Sequence, residues 1–189
     1  MLATPLTLLF LAVTSVICTP TPEVPALEPR DETSINNTIT VLSNKLITLN
    51  DTVTDFTPGL LGTFTALTIA AQAEDIKNTI DHGTWVIEQS EQLNQADSLA
   101  IAGVVVGLAT NVYSVLDNIV SKKWAFDEAI LGILSASFLV KDLLESLRSS
   151  TQNFGDALIP KLDASLQGVA PVVVDNIDAA FAKAIAAYS

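Results

Sequence analysis

The stretch FDEAILGILSASFLVKDLLESLRSSTQNFGDAL, Phe126–Leu158, decides the fold. Phe126, Ile130, Ile133, Ser137, Val140, Leu144, Leu147, Thr151, Phe154 and Leu158 follow one another at steps that alternate four and three. That spacing keeps side chains on one face of an α-helix. Ser137 and Thr151 interrupt an otherwise apolar stripe, and Leu131, Leu134 and Phe138 widen its first half. A face this broad predicts one long helix, starting near Lys123 and covered by more than one neighbour. Gly155 and Pro160 are expected to bend or end it.

The flanking sequence repeats the pattern. Thr33 or Ser34 is placed to cap a first helix whose seam is Ile35, Ile39, Leu42, Leu46, Leu49, Val53 and Phe56, stopped by Thr57-Pro58-Gly59. A second helix is expected over Leu61–Leu93, with Ala66, Ile69, Ala73, Ile76, Ile80 and Ile87 on one side. Gly83 lies on that side and marks a kink or a close crossing. After the break Asn94-Gln95-Ala96, with Asp97 as N-cap, a third helix runs over about 98–121. It carries two adjacent stripes, Ile101, Val105, Leu108, Val112, Val115, Ile119 and Ala102, Val106, Ala109, Tyr113, Leu116, Val120, which suits the centre of a bundle. Gly103 and Gly107 form a GxxxG. The apolar run Leu99–Ala109 is too short to span a bilayer, so the pair predicts close packing inside the bundle. A turn at Gly168–Pro171 precedes a last helix bearing Val173, Ile177, Phe181, Ile185 and Tyr188. No stretch alternates strictly as a half-buried strand does. The expectation is an all-α, antiparallel helical bundle of about five long helices.

Charge and cysteine usage narrow the setting. The net charge is −12, and the longest run of basic residues is the pair Lys122-Lys123. This argues against nucleic acid and against anionic lipid heads as partners. Leu6–Ile17 reads as the apolar core of a secretory signal, with cleavage after Cys18. Residues 19–30, with prolines at 20, 22, 25 and 29, read as an extended linker or pro-segment. Cutting after Arg30 would leave Asp31–Ser189 as the mature domain. Cys18 is the sole cysteine, so that domain has no disulfide and depends on packing. Asn36 and Asn50 begin glycosylation sequons. The expected address is extracellular, the chain is expected to be a monomer without a transmembrane segment, and the C-terminus does not read as a lipid-anchor signal.

Catalytic signatures are missing. One histidine, His82, is the only candidate for a triad, and no GxSxG, HExxH, CxxC or glycine-rich phosphate loop occurs. The adjacent carboxylates Glu74-Asp75 and Asp127-Glu128 point in different directions on a helix and suit a solvated face better than a metal site. No enzyme, metal or cofactor is expected.

Several stretches together resemble the fungal hydrophobic surface-binding protein A family, which includes cell-wall galactomannoprotein antigens. They are Phe56-Thr57-Pro58-Gly59, Ala96-Asp97-Ser98-Leu99-Ala100-Ile101, Leu116 to Lys123, and Phe154-Gly155-Asp156-Ala157-Leu158. The resemblance runs from about Thr33 to Tyr188. It implies a secreted or wall-associated bundle that holds fatty acids or other lipids in an internal apolar tunnel. It also implies, for some members, coating of hydrophobic surfaces and recruitment of a secreted esterase. The chain lacks the Ser/Thr-rich, anchor-bearing tail of wall-attached members, which favours a freely secreted form.

On the lipid reading, Ile69, Ala73, Ile101, Val105, Leu108, Val112, Ile133, Leu134, Ser137 and Phe138 are the candidate ligand contacts. Ala73, Ala102, Gly103 and Ala109 would leave room for a tail, and Ser137, or failing it Thr110 or Gln72, would meet a carboxyl head. The competing reading is that the small residues only let helices approach and that Ser137 bonds back to its own helix. Surface adhesion and a structural role in the wall remain the alternative functions.

Overall fold

A computed structural model describes residues 32–131 and 134–189. The expected leader, the Pro-rich stretch, Cys18, the Pro29-Arg30 site and Ile133 fall outside the described residues. Five long helices dominate: α1 (Glu32–Thr54), α2 (Leu60–Gln89), α3 (Gln95–Ser121), α5 (Ala136–Leu158) and α7 (Ala170–Ala187). Two short helices, α4 (Lys123–Glu128) and α6 (Ala164–Gln167), and the 3-10 turn Ile159–Lys161 fill the connections.

Helices α1, α2, α3 and α7 form where the apolar spacing predicts. All seven seam residues of the first segment, Ile35 to Phe56, are buried. Helix α1 starts at Glu32, so Thr33 and Ser34 lie inside it and neither caps it. At α3 the N-cap is Asn94, whose side chain accepts from the Asp97 amide at 3.0 Å; Asp97 itself lies in the first turn. Asn94 wins because it stands three residues before that amide, the spacing an N-cap requires.

The largest departure falls in the opening stretch. Phe126 to Leu158 is not one helix: α4 ends at Glu128, and an antiparallel ladder pairs Ile130 with Ser135 and Leu131 with Leu134 before α5 begins. The run Ile-Leu-Gly-Ile-Leu satisfies a helical and an extended period equally, and glycine costs a helix about 1 kcal/mol relative to alanine. The two-residue strands β1 (Ile130–Leu131) and β2 (Leu134–Ser135) are the only extended pairing among the described residues.

The helices close into a ring. Helix α1 packs on α2 and α3, α2 on α5, α5 on α7, and α7 back on α3. Cross-helix bonds give the directions. Ser43 meets Asn111, and Asn50 and Thr54 meet Asn118, so α1 and α3 run parallel. Lys45 meets Asp75 and Thr52 meets Gln72, so α1 and α2 are antiparallel. Arg148 holds Asp178 through two bonds, at 2.5 and 2.6 Å, and fixes α7 on α5.

Two glycines allow close crossings. A Cβ on Gly83 would lie 2.6 Å from Thr38 Cγ2 and 2.9 Å from a Phe154 ring carbon; one on Gly155 would lie 2.8 Å from Val174. Gly83 therefore marks a crossing of α1, α2 and α5. The GxxxG expectation fails: Gly103 and Gly107 are exposed, with no atom within 4 Å of an added Cβ. Helix α3 is long and apolar enough to cross a membrane. In the ring, its first apolar stripe faces the interior.

Candidate binding cavity

The ring encloses a cavity of about 300 Å³. This is the low end of the roughly 300–1,000 Å³ usual for ligand pockets. Helix α1 lends Leu42, Leu46 and Leu49; α2 lends Ile69, Ala73, Ile76 and Ile80. The whole first stripe of α3, Ile101 to Ile119, lines it, which at 1.5 Å per residue is about 27 Å of wall. Helices α5 and α7 complete the wall with Val140, Leu144, Leu147, Thr151, Phe154, Val173, Ile177 and Phe181.

One end is closed by aromatic rings. Phe126 lines the cavity, stacks on Phe56 at 4.4 Å and meets Tyr188 edge-on at 6.2 Å. The Tyr188 hydroxyl donates to the Ile119 carbonyl at 2.7 Å, and burial pushes its phenol pKa up, with the Asp127 charge adding to it. At the other end, Val106 of α3 and Val169 before α7 line the cavity although they are 59% and 58% exposed. That seam, flanked by Ala102, Leu166 and Ala170, is where the lining reaches the surface, and we take it as the mouth.

The lining is almost pure hydrocarbon. Thr151 is its only polar side chain among the described residues, and its hydroxyl already donates to the Leu147 carbonyl at 2.8 Å. The loop beside the mouth is likewise engaged: the carbonyls of Ile159, Lys161 and Leu162 accept from the Leu162 amide, the Leu93 amide and Gln167 Nε2.

Of the sequence candidates, Ile69, Ala73, Ile101, Val105, Leu108 and Val112 lie on the cavity wall. Ser137 does not. It is buried behind the wall and donates to Asp127 Oδ1 at 2.6 Å, because the break before α5 folds its first turn against α4. The Lys123 ammonium and then the Ser137 hydroxyl hold the Asp127 carboxyl below its ordinary range. Ser137 therefore does not line the cavity, and its hydroxyl bonds to α4 and not back to its own helix.

Phe138 is 55% exposed: it stands two residues from the cavity-facing Val140, about 200° around the helix. Leu134 is in β2 and not on a helix. Thr110 donates to its own helix at Val106, and Gln72 to Thr52. Ala102 lines the cavity, whereas Ala109 is buried outside the lining.

The mouth residues Leu166, Val169 and Ala170 were missed because Gly168–Pro171 reads as a turn. The available signal was Pro171, which sits in the first turn of α7, where proline is favoured. Asn50, the second sequon, has its amide within 3.4 Å of Ser114 and accepts from Asn118, so it lies in the α1–α3 contact. Asn36 is half-buried on α1 without such a tie. His82 is exposed, 5.9 Å from the Trp85 ring and away from the cavity.

A ring of amphipathic helices around a hydrocarbon-lined hole defines a helical-bundle protein built around an apolar cavity. The particular family follows from sequence: the profile of Hydrophobic surface binding protein A matches residues 33–160, and the chain belongs to that family. Cell wall mannoprotein 1 of Aspergillus flavus is 29% identical over 120 residues, and that of Aspergillus fumigatus 28% over 120. Each match takes in 64% of this chain but only 42% and 40% of the relative, so the chain spans about two fifths of their length.

The fold is similar to AfMP4p in complex with palmitic acid, with a TM-score of 0.78 and 29% identity over 84% of this chain and 100% of that one. It is also similar to ligand binding domain 1 of Penicillium marneffei MP1 protein complexed with arachidonic acids. There the TM-score is 0.75 and the identity 17%, over 84% and 99% of the two chains, which speaks for the fold alone. Helix α7 lies beyond the profile match but within the shared architecture.

Proposed function

We propose that the protein is a secreted, cell-wall or extracellular carrier that holds long-chain fatty acids or other lipids in the cavity between its helices. One observation carries this: a continuous apolar hole inside the ring, in a chain whose net charge keeps it apart from anionic surfaces. The fatty-acid complex of the similar AfMP4p supports the same ligand class. Burying a tail is worth about 0.8 kcal/mol per methylene, so a chain of ordinary length supplies its own affinity without polar contacts. The six wall residues from Ile69 to Val112 are the proposed ligand contacts, entered through the Val106–Val169 mouth.

The test is the native mass of the secreted protein before and after organic extraction. A mass excess that leaves as lipid on extraction, and returns on adding palmitic acid, is the expected result. A bare polypeptide mass that stays bare with palmitic acid refutes the carrier.

A second role, adsorption to hydrophobic surfaces, is favoured by Phe64 and Leu67, which are 65% and 50% exposed on one face of α2. Loss of binding to wax particles in F64A, with lipid uptake intact, would assign it to that face; unchanged binding would not. Recruitment of a secreted esterase would extend this second role.

A further inference from the structure

We propose that the cavity selects its cargo by the hydrocarbon chain and not by the head group, so that uncharged long-chain lipids such as fatty alcohols and esters are bound at least as well as the acid. This rests on the carrier reading and narrows its substrate class.

The reason lies in what the wall lacks. A carboxylate withdrawn from water needs a cation or several donors to compensate its lost hydration. Among the described residues, no Lys, Arg or His lines the cavity, and the one lining hydroxyl, Thr151, is bonded to its own helix. Two of the nearby cations are committed elsewhere. Lys161, next to the mouth, donates to the Glu88 and Ser90 carbonyls, and Arg148 is held by Asp178. The aromatic floor offers nothing either, since the Tyr188 hydroxyl is bonded to the Ile119 carbonyl.

A charged head can therefore stay only at the mouth, in water, where Val106 and Val169 give it no partner. The protein's overall negative charge disfavours it further. A neutral head escapes the charge penalty and loses far less hydration than a carboxylate, so it can follow its chain inside at a smaller cost.

The experiment is competition on the delipidated protein at pH 8 between hexadecanoic acid, methyl hexadecanoate and 1-hexadecanol, read by native mass spectrometry. The expected result is occupancy by the ester and the alcohol equal to or above that by the acid. Preference for the acid over the ester overturns the proposal while leaving the carrier reading intact. Binding of none of the three overturns both.

A second variant tests the cause. V169R places a cation at an exposed position on the mouth. It is expected to shift the acid-to-ester ratio about tenfold toward the acid, read as a ratio so that any change in the ester's own affinity cancels. An unchanged ratio refutes the claim that a missing cation sets the preference.

Discussion

Ala73→Leu separates a cavity that works from one that is merely unfilled. Ala73 is 5% exposed and lies on the cavity wall between Ile69 and Ile76. Leucine adds three carbons to that wall. If they enter the space a lipid tail would occupy, they displace about three methylenes at about 0.8 kcal/mol each, roughly 2.4 kcal/mol of binding. At about 1.4 kcal/mol per decade this is on the order of a fiftyfold loss of affinity. The same carbons fill empty space in the ligand-free protein, so stability should rise, by up to about 2 kcal/mol. The two signs are opposite. Chemical denaturation of the delipidated variant and palmitic acid titration measure them. A drop in stability of about 1–3 kcal/mol, the mark of overpacking, with unchanged lipid affinity would show that the space beside Ala73 is not the binding site.

Other substitutions test the frame around the cavity. G83A should destabilise by about 1 kcal/mol despite alanine's better helix propensity, since its Cβ would meet Thr38 at 2.6 Å and the cavity-lining Phe154 at 2.9 Å; thermal unfolding reads it. G103A and G107A should each stabilise by about 0.5–1 kcal/mol, because both face open space; a loss of stability or a change of oligomeric state would reveal a hidden contact. Asp178 is held below the ordinary carboxylate range chiefly by Arg148. Its contribution is therefore present above the unfolded value of about 3.9 and is lost as pH falls through the lower folded value. D178N should lower the melting temperature at neutral pH and remove part of its acid dependence below about pH 4; an unchanged acid limb would refute this role for the α5–α7 clamp.

Most of the architecture was legible because each helix buries one stripe. Ile35 to Phe56, Ile101 to Ile119 and Val140 to Leu158 all lie where helical spacing puts them. The cavity was less legible, since a stripe facing a hole has the same periodicity as one facing a packed core. Nothing in Val105 or Leu108 distinguishes the two. The polar candidates failed for a related reason. Ser137 lies on the seam by count, but the break before α5 turns it toward Asp127, and no spacing rule sees a partner ten residues back. The Gly103–Gly107 pair failed because small residues permit close approach without requiring it.

The hole itself has an energetic consequence. Protein interiors are normally packed as densely as organic crystals, and residual cavities cost about 24 cal/mol per Å³. At about 300 Å³, an empty interior would cost on the order of 7 kcal/mol on that scale, comparable with the roughly 5–15 kcal/mol that holds a whole domain together. The only cysteine is Cys18, so no disulfide within residues 32–189 offsets that loss. A long apolar ligand then acts as part of the core, and its removal should lower stability by several kcal/mol, with recovery that grows with the logarithm of free ligand concentration. Melting of the extracted protein across a series of hexadecanol or palmitic acid concentrations measures this directly. An extracted protein that melts where the loaded one does would mean that the helices close on themselves, and that the cavity is no part of how this fold stands.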